Sequence, residues 1–171
     1  PRPARVPLSL AQQRMWFLNR LDPESPTYNL AFALRLSGGL DVGGLQIAIM
    51  DVLDRHESLR TVFPDSADGP HQVVLDAVQS VPSLAPRDVS REGLRHATLA
   101  LAGRGFDVTT ETPVRAELFR LDATEHVLAI VVHHISADGW SMGPLARDIM
   151  AAYAARTQWD QPAWVPLPVQ Y

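Results

Sequence analysis

The stretch HVLAIVVHHISADG, His126 to Gly139, decides how the chain folds. From Val127 to Val132 every residue is apolar, at odd and even positions alike. A strand turns successive side chains to opposite faces, so an unbroken apolar run predicts a central strand, His126 to His134, covered on both sides. Where the run stops, His133 and His134 stand side by side, followed by Ser136, Asp138 and Gly139. Strand alternation lets one histidine face structure and the other a cavity, not both one site. Gly139 admits backbone geometry closed to other residues, and Trp140 and Ser141 open the next helix.

The flanking segments supply the layers that such a strand needs. VRAELFRL (Val114 to Leu121), joined to the central strand through the turn DATE, reads as its antiparallel partner. TYNLAFALRLSG (Thr27 to Gly38) places Tyr28, Leu30, Phe32, Leu34 and Leu36 on one parity and Asn29, Ala31, Ala33 and Arg35 on the other, which predicts a further strand. SLRTVF (Ser58 to Phe63) and HQVVL (His71 to Leu75), either side of the turn cluster PDSADGP, read as a hairpin. Helices are predicted over Ser9 to Leu21, capped by Ser9 with Gln12 three residues on, and over VGGLQIAIMDVLDRH, capped by Asp41. Two more fall around Arg91 to Ala102 and over MGPLARDIMAAYAARTQ. In the first helix Leu10, Met15, Phe17, Leu18 and Leu21 form the expected buried face, and GRGFDVTTETP reads as loop. Helices interleaved with strands, one strand doubly buried, give an α/β layered fold with a mixed β-sheet packed by α-helices.

Composition narrows the function classes. The 171 residues carry a formal charge of −4 with scattered arginines, which is no nucleic-acid footprint. Cysteine is absent, which removes disulfides and thiolate chemistry, and a cytoplasmic location is expected. No apolar run approaches the roughly 20 residues of a membrane helix. The missing initiator Met and the proline-rich PAWVPLPVQY end suggest a piece cut from a larger polypeptide.

For the histidine pair, three readings stand on the residues alone. Both rings are satisfied polar groups at a strand end, or they hold a metal, or one is a general acid or base oriented by Asp138. Zinc wants three or four ligands and only two or three lie locally, so no metal is expected. Ser136 and Ser141 raise a Ser-His-Asp option, but no G-x-S-x-G elbow accompanies them.

HHISADG resembles the H-H-x-x-x-D-G signature of condensation domains of nonribosomal peptide synthetases, within the chloramphenicol-acetyltransferase-like superfamily. SLAQQRMWFL (Ser9 to Leu18) resembles the first motif of that family, and RHESLRTVF (Arg55 to Phe63) its second. The resemblance implies a chloramphenicol-acetyltransferase-like lobe, with residues 1–171 as the N-terminal lobe and the C-terminal lobe absent. It implies an acyltransferase that forms peptide bonds in secondary-metabolite, including antibiotic, biosynthesis. A donor aminoacyl or peptidyl thioester meets an acceptor amine, both delivered on 4′-phosphopantetheine arms, with no cofactor bound directly. The implied partners are the C-terminal lobe, upstream and downstream peptidyl carrier domains and an adjacent adenylation domain, with neither nucleic acid nor membrane.

By the same resemblance His134 sits at the reaction centre, as general base or as a group positioning the amine or oxyanion. An α-ammonium of pKa ~8 is partly neutral near pH 7, which favours positioning. The Gly139 N–H is implied to polarise the thioester carbonyl, while His133 faces structure. Asp138 is implied to pair with Arg60 and fix the loop, so that Asp138→Ala lowers the melting temperature substantially. Arg14, Trp16, Arg55, His56 and Glu57 are expected to pack and form ion pairs, and Tyr28 and Asn29 are weaker candidates. The alternatives are a non-catalytic docking or gatekeeping module, or an epimerization-type domain. The two early motifs argue against epimerization, and the first histidine of HHISADG argues against a cyclization domain. The isolated lobe is expected to be inactive.

Overall fold

The computed structural model describes residue 3 and residues 5–170; Pro1, Arg2, Ala4 and Tyr171, within the span 1–171 expected to form one lobe, lie outside it. The central strand is present as β7, and its other elements are numbered with it in chain order. They are β1 (Val6–Pro7), α1 (Leu10–Leu21), β2 (Asn29–Ser37), α2 (Val42–Arg55), β3 (Thr61–Val62), β4 (His71–Val74), α3 (Ala77–Ser80), β5 (Arg87–Asp88), α4 (Arg91–Ala102), β6 (Val114–Asp122), β7 (Glu125–His133) and α5 (Met142–Arg156). Four strands form one sheet in the order β2-β7-β6-β5, and β1-β4-β3 form a second, smaller one. β7 runs antiparallel to both neighbours, pairing Val132 with Leu30 on one side and with Val114 on the other. β5 pairs parallel to β6, so the sheet is mixed.

All nine residues of β7 are buried, and its two parities serve two cores. Leu128, Ile130 and Val132 join Leu45, Ile49 and Leu53 of α2 and Leu145 and Ile149 of α5. Val127, Ala129 and Val131 face the other way, onto Ala97 and Leu101 of α4 with Phe63, Phe106 and Phe119. The mixed sheet covered by helices is as the apolar run predicts.

One local reading differs from the structure, and some elements carried no signal. Ser58 to Phe63 is not one strand, because Glu57–Arg60 winds into a 3₁₀ turn before the two residues of β3. Two hydrogen bonds hold that turn: Thr61 Oγ1 donates to Glu57 O at 2.7 Å, and Leu59 N–H to His56 O at 3.0 Å. The short elements β1, α3 and β5 have too few residues to show a period. The segment read as loop, GRGFDVTTETP, has no strand or helix, yet its Phe106 and Val108 are fully buried.

The face of α1 is the larger departure. Leu10, Phe17 and Leu21 are exposed, whereas Gln12 and Asn19 are buried. Ser9 caps α1 in a reciprocal box with Gln12, as expected, but Gln12 Oε1 also accepts from Gln72 Nε2 at 3.2 Å. Asn19 Nδ2 donates to Phe106 O at 2.7 Å, and its Oδ1 accepts from Val108 N–H at 3.4 Å. The inner side of α1 therefore satisfies the backbone of a buried loop, a task that apolar side chains cannot do.

The consequence is an inverted mutational pattern. Phe17→Ser should change stability by no more than ~0.5 kcal/mol, as exposed substitutions do. Asn19→Ala should cost about 1–3 kcal/mol, because it strands a carbonyl and an amide in the core. Urea unfolding of the two variants decides it, and equal losses would return α1 to the apolar-face reading.

Candidate functional site

The loop that follows β7 opens on a cavity of about 790 Å³. Its walls come from α1 (Arg14, Met15), from the turn after α2 (His56, Ser58), from the loop carrying His134, Ser136 and Asp138, and from the tail residues Leu167, Val169 and Gln170. Chain segments far apart in sequence meet here, and polar clamps hold them. Trp16 Nε1 donates to Phe63 O at 2.8 Å. Arg55 pairs with Asp148 at 3.1 Å, donates to Val165 O at 2.9 Å and lies over the Trp164 ring. His56 meets the same Asp148 oxygen at 2.8 Å. Gln170 accepts from Glu57 N–H and donates to Arg55 O, closing the tail against the turn. Of the motif positions expected to pack, Trp16, Arg55 and His56 thus do so. Arg14 lines the cavity; Asn29 donates to the carbonyls of Ala102 and Arg104, where α4 ends.

The histidines divide as strand alternation requires. His133 is buried, its ring 5.9 Å from that of Phe106 and 6.4 Å from that of Tyr28. Its Nδ1 accepts from Ile135 N–H at 3.1 Å. Burial, with the neighbouring His134 adding to it, lowers its pKa to about 4, so the ring is neutral near pH 7. His134, past the strand end, is exposed and lines the cavity. Its Nδ1 lies 2.8 Å from Ala137 O; a carbonyl only accepts, so Nδ1 carries a proton, and in the neutral ring Nε2 is the acceptor.

Asp138 and Arg60 do not pair. Asp138 is exposed and caps the 3₁₀ turn Gly139–Ser141, its Oδ1 accepting from Ser141 N–H at 2.9 Å and from Ser141 Oγ at 2.6 Å. The Ser141 hydroxyl, then its N–H, hold the carboxyl below the ordinary aspartate value. Arg60 instead donates to Leu53 O at 2.8 Å, Leu75 O at 2.5 Å and Asp54 O at 3.3 Å, with the Asp54 carboxylate at 3.7 Å. The open carbonyls at the end of α2 lie within its reach, and a helix C-terminus favours a cation. Both partners of the expected pair are satisfied locally. Gly139 likewise departs from expectation: it has no positive φ, and an added Cβ would meet nothing within 4 Å. What glycine provides there is open space rather than unusual backbone.

Ser136 was a sequence candidate only as a nucleophile. It is buried on the cavity wall, and its Oγ has no hydrogen-bond partner. The cavity-lining Leu167, Val169 and Gln170 carried no signal in the sequence, because they belong to an irregular proline-rich tail. Among the described residues no three His, Asp or Glu side chains converge as a metal-holding group, and no helix is long and apolar enough to cross a membrane.

Comparison with known proteins finds a match of residues 4–171 to the Condensation domain family. The isonitrile lipopeptide synthase of Mycobacterium tuberculosis is 49% identical over 173 residues, covering 99% of this chain and 7% of that protein. The dimodular nonribosomal peptide synthase of Bacillus subtilis is 47% identical over 170 residues, again 99% of this chain and 7% of the relative. This chain thus spans less than a tenth of either. Among solved structures, the X-domain in complex with OxyB from teicoplanin biosynthesis superposes with a TM-score of 0.93 at 44% identity, over 99% of this chain and 37% of that one. The starter condensation domain of rhizomide synthetase shares the fold, with a TM-score of 0.83 at 22% identity, over 95% of this chain and 40% of that one.

Two outcomes follow from the geometry. A His133 pKa depressed from 6.5 to about 4 means that the unfolded chain binds the extra proton between those values. Stability is then full above pH ~6.5 and falls by up to roughly 3 kcal/mol as the pH drops towards 4. His133→Asn should flatten the melting temperature against pH in that window, while losses below it, where carboxylates titrate, persist. Separately, the melting-temperature losses of Arg60→Ala and Asp138→Ala should add in the double variant, since the two groups share no bond. A strong non-additive coupling would restore the ion pair.

Proposed function

The chain belongs to the condensation-domain family of nonribosomal peptide synthetases, and on that premise we propose that it forms the N-terminal lobe of a domain joining two carrier-borne substrates through an amide bond. Condensation domains of these synthetases are acyltransferases in general. The acceptor's α-amine attacks the carbonyl carbon of the donor thioester. A C–N bond forms, the C–S bond breaks, and the amine proton leaves with the thiol of the donor arm. Both substrates arrive on 4′-phosphopantetheine arms of carrier domains, which with an adenylation domain and the C-terminal lobe are the proposed partners.

One observation carries this reading. His134 stands on the wall of a 790 Å³ cavity with its Nδ1 proton committed to Ala137 O and its Nε2 left as acceptor. An acceptor nitrogen at that place suits the N–H of an incoming amine, either orienting it or taking its proton as the tetrahedral intermediate collapses. A free amine needs no strong base, so orientation carries more of the rate. The open space at Gly139 suits close approach of the thioester carbonyl to the backbone N–H. Asp138 contributes by holding the turn that presents Gly139. Half a cavity does not hold two arms in register, so the lobe alone is inactive on this reading.

The second reading, a docking module, draws on the X-domain relative, whose structure is a complex with OxyB. The two separate cleanly. In the full-length protein, with donor and acceptor carriers loaded, His134→Ala should lower the condensation rate at least a hundredfold with an unchanged melting temperature. Turnover near that of the wild type would reject the catalytic reading, and a wild type that binds a partner but never condenses would favour docking.

A further inference from the structure

The cavity wall carries a second imidazole that the reaction just described leaves unused. His56 stands in the turn after α2, and its ring is fixed at one nitrogen, with Nε2 2.8 Å from Asp148 Oδ2. A carboxylate only accepts, so Nε2 carries the proton, and in the neutral ring Nδ1 is the acceptor. Arg55 pairs with the same Asp148 oxygen at 3.1 Å, so that carboxylate already has its countercharge. The His56 side chain is 24% exposed. Among the described residues its Nδ1 has no hydrogen-bond partner, and it is not sealed from solvent. His134 is the mirror case, tied through Nδ1 to Ala137 O and open at Nε2. Each ring thus has one nitrogen held by the protein and one left open, and both residues line one cavity.

The chemistry of an attacking amine matches that arrangement. To attack, the amine must be neutral, and a neutral primary amine has two N–H bonds and one lone pair. Met15, Leu59, Leu145 and Leu167 make much of the lining apolar, so an amine that enters gives up bonds to water and needs an acceptor for each N–H. Arg14 on the same wall brings only donors, and Asp138 spends Oδ1 on Ser141. We propose that His56 Nδ1 accepts one N–H of the acceptor's amine while His134 Nε2 accepts the other, which leaves the nitrogen lone pair to face the thioester carbonyl carbon. The proposal rests on the condensation reading and adds a substrate contact to it. It also gives the Asp148 carboxylate a second task besides the clamp on Arg55: it holds the His56 ring so that Nδ1 stays open. A secondary amine has one N–H to offer, so the pair of rings selects for a primary one.

A pair of soluble probes tests it in the full-length protein. One is the amide of glycine with aminopantetheine, a primary amine; the other is its N-methyl counterpart, which has a single N–H. At pH 9 both amines are mostly neutral. The wild type should bind the primary amine about tenfold more tightly than the N-methyl probe, and His56→Ala should erase that preference. Loss of the Asp148 clamp would weaken both probes by a common factor and leave the preference standing, so the ratio reads the contact rather than the fold. His56→Gln, which keeps a donor for Asp148 and an acceptor oxygen, should restore most of the preference. A wild type without preference, a preference that survives His56→Ala, or one that is lost instead in Asp138→Asn or Ser58→Ala would each overturn the assignment. The two failures are distinguishable. Wild-type condensation with an unchanged preference in His56→Ala sinks this contact alone, whereas a wild type that neither condenses nor binds either probe sinks the functional reading with it.

Discussion

A strand with no polar face is the constraint on which the rest of this molecule depends. β7 cannot lie at a surface on either side, so α2 and α5 must cover one face and α4 with the phenylalanine cluster the other. Its edges are closed by β2 and β6, which leaves no ladder group of the central strand open. Burial of this kind also fixes phase. A one-residue slip would exchange the two cores, and two cores of different shape do not exchange without loss of packing. The phase that suits Leu128 and Ile130 also sends His133 to the Phe106 side and leaves His134 at the strand's mouth. The position of the site is thus a by-product of core packing, with no separate device needed to aim it.

Much of this was legible because it follows from period. The apolar run, the alternation of β2 and the capping residues Ser9 and Asp41 each give a local signal that agrees with the final fold. The histidine split was legible for the same reason, since it needs only the parity of the strand. What stayed hidden has a common cause: buried polar side chains that serve backbone elsewhere in the chain. Asn19 looks like the outer face of a helix until the loop that it satisfies is known, with Phe106 87 residues away. Arg60 offers any carboxylate a partner on paper, yet the end of α2 takes it first. Pairing across sequence is not written in spacing.

The resemblance to a family behaved differently from the periodic signals. It singled out a loop and a histidine that the structure places on the cavity wall, and it carried over an ion pair that this chain does not make. The reason lies in how Asp138 is used. A carboxylate at the start of a 3₁₀ turn finds an N–H and a hydroxyl from Ser141 at no entropic cost beyond that of the turn itself. Three motifs define a common loop, but the bonds inside it are settled by whichever donor lies nearest.

That local satisfaction bears on the chemistry of the wall. With Asp138 bound to its own turn and His133 neutral within the core, the His134 ring hydrogen-bonds to neither of them. Its ring is held by a backbone carbonyl, which fixes the ring orientation without tying up Nε2. A histidine arranged in this way is better equipped to hold an uncharged amine in line than to withdraw its proton, for strong bases of this type are built with a carboxylate behind the ring. The demand of the proposed reaction is correspondingly modest, since a thioester is already reactive and an α-amine is partly neutral at pH 7. What the wall would supply to the proposed reaction is therefore geometry, with an acceptor nitrogen of His134 held in a fixed orientation.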